Sequence, residues 1–138
     1  MGLTYNRSEP DGCKVTQPDH LVSILRDSYG DSIEVYEQSF VIGLSRSNHL
    51  RSVFQVSSGG ATGTVIDPKI VFSRLLLDNC AAFILSHNHP SGNRQPSMAD
   101  KRLTHNFKKA GEVLDIKLLD HIIVTATSHF SFANQNEL

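Results

Sequence analysis

Apolar positions along this chain follow two different spacings, and the change from one to the other marks out the elements. A short apolar run lies within 39–45 and is closed by the turn-forming Ser45-Arg46-Ser47-Asn48. A second β-rich run follows over 50–57, and the pair predicts a hairpin. Ala81-Ala82-Phe83-Ile84-Leu85 is short enough to predict a buried strand that runs on to His87. Further strands are expected near 115–125 and 129–132. Elsewhere the spacing becomes helical. Leu21, Ile24 and Leu25 share one face of a helix that Thr16 or Gln17 leads into, with Pro18 in its first turn and Gly30 as its stop. Asp67 caps a second helix that has Pro68 at its first position and Val71, Leu75 and Leu76 facing inward. From Ser97 onward, Ala99, Leu103, Phe107, Ala110 and Leu114 recur at steps of four and three, an apolar stripe. The other face of that helix carries Lys101, Arg102, Lys108 and Lys109, which read as a solvated face. Helices alternating with strands, plus a hairpin, predict an α/β fold in which helices flank a mixed β-sheet.

Composition limits what this fold can be for. The 138 residues suit one domain with a real core. Residues 1–14, polar and turn-rich around Pro10-Asp11-Gly12, read as a flexible N-terminal arm, and 15–138 as a single domain. A formal net charge of −1 offers no basic footprint for nucleic acid. No apolar run is long enough to span a bilayer, and Met1-Gly2-Leu3-Thr4 starts no signal-peptide pattern. Two cysteines, Cys13 and Cys80, are too few for a disulfide framework, and Cys80 reads as a buried thiol. A cytoplasmic location is the expectation. Ser57-Ser58-Gly59-Gly60 reads as a loop and lacks the spacing of a phosphate-binding motif.

The chemistry concentrates between His87 and Asp100. Side chains two apart on a strand share a face, so His87 and His89 are placed to converge on one ion. Pro90 stops the pairing, Ser91-Gly92-Asn93 turns the chain, and Ser97 opens the next helix with Asp100 in its first turn. Ser97 and Asp100 also make a capping box. The two readings coexist, because the helix dipole favours a carboxylate there whether or not it also binds metal. Two imidazoles and one carboxylate leave one position of a tetrahedral zinc open for water, the pattern of a catalytic site. His20, His49 and His129 stand in polar or turn contexts and read as surface residues, and His105 as pointing elsewhere.

His87-x-His89, seven residues, then Ser97-x-x-Asp100 resembles the metal signature of the JAB/MPN domain metalloproteases, the JAMM motif. Within that superfamily the chain looks most like the RadC-like group. That group's His-Asn-His-Pro-Ser-Gly stands intact at 87–92, and Leu118-Leu119-Asp120-His121-Ile122-Ile123-Val124 matches its second hallmark. The resemblance runs from about Ile33 to Ala133. It implies a JAB/MPN-like fold with the α/β/α layering of cytidine deaminases, and one Zn²⁺ per chain on His87, His89 and Asp100. It implies an upstream glutamate as general acid–base. Glu37 fits that place better than Glu34, because it directly precedes the apolar run 40–44. Ser97 takes the role of hydrogen-bonding the oxyanion.

The implied activity is that of a zinc metallopeptidase or isopeptidase acting on a peptide or protein. Ser39 stands where an aromatic residue commonly follows the glutamate, and Asn134-Gln135-Asn136 replaces a more usual Asp-Glu-Gly. The helix-hairpin-helix region of the complete RadC-like architecture does not fit before residue 33, so the catalytic module alone is expected. Two other readings stand beside this one. The RadC-like group carries a historical DNA-repair label, but net charge and the lack of a basic aromatic surface count against action on nucleic acid. A non-catalytic metal-binding interaction module would have been favoured by loss of the glutamate or a ligand, and neither is lost. Asp120 and His121 either orient a ligand imidazole or serve a strand edge.

Overall fold

The computed structural model describes residues 12–15, 18–58 and 66–138. Among them the elements run α1 (Pro18–Tyr29), β1 (Gln38–Leu44), β2 (Leu50–Ser58), α2 (Pro68–Leu77), β3 (Ala82–Asn88), α3 (Met98–Leu114), β4 (Lys117–Val124) and β5 (His129–Ser131). A 3-10 turn, Gly30–Glu34, joins α1 to β1. It begins at Gly30, whose φ of +58° ends α1 as a glycine readily does. The strands make one sheet in the order β2-β1-β3-β4-β5. All its pairings are antiparallel except β3 with β4. That parallel pair needs a crossover, and α3 supplies it.

Every residue of β1 and β3 is buried, because helices cover both faces of the sheet. On one face Ile42, Ile84 and Ile122 pack beneath Leu25 and Tyr29 of α1. On the other, Val41, Phe83 and Leu85 pack beneath Phe72 and Leu75 of α2 and Phe107 of α3. The result is the α/β fold with a mixed, helix-flanked sheet that the spacing predicts. α2 begins as expected, with Asp67 accepting the Lys69 amide at 2.9 Å and Pro68 following.

Some positions differ from the sequence reading. Leu76 is 56% exposed, and Phe72 takes the inward place beside Val71 and Leu75. A helix turns about 100° per residue, so Leu76 lies past the edge of the face that Leu75 occupies. In α3 the buried positions are Thr104, Phe107 and Gly111, whereas Ala99 and Leu114 at the two ends of the expected stripe are exposed. The packed part of the stripe is the middle of the helix, where it crosses the sheet. Ser57 and Ser58 belong to β2 and not to a loop; Gly59 and Gly60 lie outside the described residues. Of the expected arm, residues 1–11 also lie outside them. Residues 12–15 are fastened to the start of β2 by Gly12 N–H to Leu50 O at 2.9 Å and Val15 N–H to Asn48 O at 2.8 Å. Thr16 and Gln17, expected to lead into α1, lie outside the described residues too.

One irregularity bears on the site. In the β3–β4 ladder Phe83 faces Leu118 but Ile84 faces Asp120, so β4 carries an extra residue there. A one-residue shift moves every later side chain to the other face of the sheet. It sets His121 beside Leu85, on the α3 side, where an unbroken ladder would have turned it toward α1.

Candidate metal centre

The site forms where the C-terminal end of β3, the start of β1 and the N-terminus of α3 meet. His87 is the penultimate residue of β3 and is buried, and His89 follows directly after the strand. Strand alternation brings both rings to one side, with their Nε2 atoms 3.0 Å apart. Gly92, at φ +87°, lets the chain turn back, and its amide closes the turn on the His89 carbonyl at 3.1 Å. The chain then enters α3 through the expected capping box. Ser97 Oγ accepts from the Asp100 amide at 3.0 Å, and Asp100 Oδ2 accepts from the Ser97 amide at 2.8 Å. This cap holds Asp100 against both imidazoles, Oδ1 at 3.3 Å from His87 Nε2 and Oδ2 at 3.4 Å from His89 Nε2.

Glu37, the last residue before β1, comes from the opposite side. Ligand atoms of Glu37, His87 and His89 all lie within 4.8 Å of one another, a spacing that one metal ion could bridge. Glu34 is exposed. The structure therefore brings all of Glu37, His87, His89, Ser97 and Asp100 to one cavity of about 370 Å³, walled also by Ser39, Ile66, Leu103 and His121. His105 is exposed on α3 and is absent from this wall.

The donor set suits a cation. His89 Nδ1 lies 2.6 Å from the Asn93 carbonyl, which can only accept. That ring nitrogen therefore carries the hydrogen, and the Nε2 of neutral His89 presents a bare lone pair to the site. The lone pair and the Asp100 carboxylate face each other at 3.4 Å, an arrangement that calls for a positive charge between them. Protonation shows the same field. Burial disfavours the charged Asp100, but hydrogen bonds from His87 and His89, the charge of His87 and the Ser97 amide outweigh it and hold the carboxyl well below the ordinary carboxylate range. Burial likewise opposes the His89 imidazolium; bonding to Asp100 and Asn93, with the charges of Asp100 and Glu37, raises its pKa nevertheless.

Three further residues build the site, Asn88, Thr104 and Ser39, none of which is assigned a role in it from the sequence alone. Asn88 sits between the two histidines and, by strand alternation, points to the opposite face. It is fully buried. Its side chain donates to the Ile33 and Tyr36 carbonyls at 2.8 and 3.0 Å and accepts from the Gln38 amide at 2.6 Å. These bonds bracket Glu37 and fix the segment that carries it. A buried amide needs such partners, so the Asn in His-Asn-His was itself the signal. Thr104 lies one helical turn after Asp100, donates to the Asp100 carbonyl at 2.8 Å and touches His121 Nδ1 at 2.5 Å. Ser39 Oγ is buried in the cavity wall without a hydrogen-bond partner among the described residues.

Asp120 and His121 have separate surroundings. Asp120 accepts from Ser131 Oγ, the Ala133 amide and the His121 amide, tying β4 to β5; burial raises its pKa against those bonds. His121 is wholly buried, stacks on Phe132, and sets its Nε2 2.8 Å from His87 Nδ1. Burial, followed by the charge of His87, pushes its pKa well below the ordinary histidine value.

Comparison with known proteins agrees with this architecture. A profile described as RadC-like JAB domain matches residues 15–138. A UPF0758 protein of Flavobacterium johnsoniae is 40% identical over 122 residues, covering 88% of this chain and 52% of its own. Another, from Chromobacterium violaceum, is 43% identical over 127 residues, 92% of this chain and 56% of its own. A third, from Salinibacter ruber, is 34% identical over 131 residues, 94% and 54% respectively. The chain thus spans about half the length of the curated relatives it matches. With its matching profile, its mixed sheet and its paired histidines between strand and helix, the chain belongs to the RadC-like JAB domain family.

Proposed function

We propose that this protein is a zinc-dependent metallopeptidase or isopeptidase that hydrolyses an amide bond, with His87, His89 and Asp100 as the metal ligands. The observation that carries the reading is the convergence of two imidazole Nε2 atoms with the carboxylates of Asp100 and Glu37 at one cavity. Two nitrogens and one oxygen from protein match the open ligand set of catalytic zinc. A bound Zn²⁺ would supply Lewis acidity and lower the pKa of a water from about 15.7 to about 7.

The chain's own residues do the rest. Glu37 comes from the far side of the cavity with a carboxylate free of the capping box. It takes the water's proton and returns it to the leaving amine, a role typically worth roughly 10²–10⁴-fold. Ser97 uses an Oγ lone pair for the cap, so its hydroxyl hydrogen remains for the oxyanion. Substrate lies along β2. Among the described residues this is the last strand of the sheet, bonded on its outer side only at its start by residues 12–15, and its final residues pair with Gln38 and Ser39 beside Glu37. An extended peptide added to that edge runs past the site.

The test is zinc content together with turnover on a broad peptide and isopeptide library. Glu37→Gln is expected to keep one zinc per chain and lose at least about 10²-fold in kcat, and Asp100→Ala to lose the metal. Full hydrolysis by Glu37→Gln, or a wild-type protein that takes up no zinc, refutes the assignment.

A further inference from the structure

The side chains behind His87 form a closed chain of hydrogen bonds, and counting its hydrogens decides how that ring is protonated. The contacts are Thr104 Oγ1 to the Asp100 carbonyl at 2.8 Å, His121 Nδ1 to Thr104 Oγ1 at 2.5 Å, and His87 Nδ1 to His121 Nε2 at 2.8 Å. The carbonyl can only accept, and Thr104 has one hydrogen to give. If Thr104 gives it to Asp100, it must accept from His121 Nδ1–H. His121 Nε2 then offers a lone pair, and His87 Nδ1–H donates to it. All three contacts hold one hydrogen each. The opposite direction leaves the Thr104 and Asp100 oxygens 2.8 Å apart with no hydrogen between them, an unmet buried contact. A doubly protonated His121 is excluded by its complete burial, since among the described residues its ring bonds only to Thr104 and His87 and to no carboxylate.

We infer that His121, directed by Thr104, is a positioning residue that locks His87 as the Nδ1–H tautomer and so presents a bare Nε2 to the site. The orienting acceptor is a neutral imidazole where metal-bound histidines usually lean on a carboxylate, a backbone carbonyl or water. A neutral acceptor pulls less on the Nδ1 proton than a carboxylate does, so it orients the ring without making it a strongly basic ligand. The chain also closes on itself: it starts at the side chain of His87 and ends on the main chain of Asp100, so the two expected ligands share one support. The placement depends on the extra residue in β4, which turns His121 to this face. The consequence for metal rests on the zinc reading above; the tautomer does not.

The two can be separated. Nitrogen-15 NMR of the metal-free wild-type protein at alkaline pH, where the imidazoles are neutral, reports which ring nitrogen carries hydrogen. The expected result is hydrogen on Nδ1 of both His87 and His121; hydrogen on Nε2 of His87 overturns the inference, whatever metal the protein binds. A second measurement uses zinc titration of His121→Gln and His121→Phe. Glutamine offers a carbonyl oxygen near the place of Nε2 and an amide hydrogen for Thr104, whereas phenylalanine keeps the stack on Phe132 and offers no acceptor. His121→Phe is expected to weaken zinc binding about 10–100-fold, with His121→Gln restoring most of it. Equal loss in the two variants, or loss in neither, would count against positioning. If wild-type protein binds no zinc, the zinc reading fails and the NMR result alone decides the tautomer.

Discussion

Asn88 illustrates how much one buried side chain can do for this site. It donates two hydrogen bonds to the main chain before Glu37 and accepts one from the main chain after it. Asn88→Ala removes all of them and leaves buried backbone groups unpaired, at an expected cost of at least about 2 kcal/mol. Denaturant unfolding measures that loss. The functional signature is separate: turnover should fall further than zinc affinity, because Glu37 is released while His87, His89 and Asp100 keep their own supports. Tyr29 provides a contrast on the opposite face of the sheet from the metal ligands. Its hydroxyl meets Ser86 Oγ at 2.6 Å in the core beneath α1, and burial, only partly offset by that bond, pushes its pKa far up. Tyr29→Phe should cost about 1 kcal/mol and leave metal binding unchanged.

Among the elements, α3 decides the geometry of the site because both of its ends are pinned. Its N-terminus is held by the reciprocal Ser97–Asp100 cap. At its C-terminus Asp115 adopts the left-handed region at φ 57°, and the Ile116 amide returns to the Gly111 carbonyl at 2.8 Å. A Cβ on Gly111 would collide with the Ile116 carbonyl, which is backbone and has nowhere to go. Gly111→Ala is therefore expected to destabilise by about 1–3 kcal/mol and lower the melting temperature by several degrees. Because α3 carries both Asp100 and Thr104, it should also weaken zinc binding. Calorimetry with and without zinc checks both effects together. If Gly111→Ala leaves the melting temperature unaltered, the reversal between α3 and β4 is not a rigid joint.

For the protein taken as one body, stability and pH are coupled through the ligand cluster. Asp100 is shifted down on folding, so its contribution exists above the unfolded value of about 3.9 and fades as pH falls below it. His89 is shifted up, so its contribution is complete below about 6.5 and is lost as pH rises through its folded pKa. Through these two groups the metal-free protein should be most stable between about pH 4 and 6.5. If the proposed zinc site is correct, added zinc should reverse the trend on the alkaline side, since it needs the imidazoles without their protons. At a hundredfold excess over Kd it should add roughly 2.7 kcal/mol. Thermal melts across pH, with zinc and with a chelator, test this; parallel curves would contradict it. The basic residues of α3 give a second prediction. Lys101 reaches Glu137 at 3.6 Å and Lys108 the Leu138 carbonyl at 3.3 Å, so two of the four cations face partners of this chain. DNA binding should be weak and steeply salt-dependent, without metal-dependent cleavage.

Local spacing was enough to read the α/β alternation, the hairpin, the caps at Asp67 and Ser97, and the His-x-His pair, because each depends on neighbours within a turn or a strand. Glu37 was not legible in this way: the family resemblance called for an upstream glutamate, and only then did its place directly before the apolar run 40–44 favour it over Glu34. Other features depend on contacts between distant segments. Leu76 and Leu75 differ only by which side of one helix meets the sheet, and no periodicity in ten residues settles that. Asn88 acts on a segment some fifty positions earlier, a partner that local spacing does not name. His121 reached His87 through an extra residue in β4, and a bulge is a property of the ladder between two strands, not of either strand alone. The side chains expected at the metal were legible because their types and spacing are chemical requirements. Those that hold them in place were not, because their roles exist only once β1, β3, β4 and α3 have packed together.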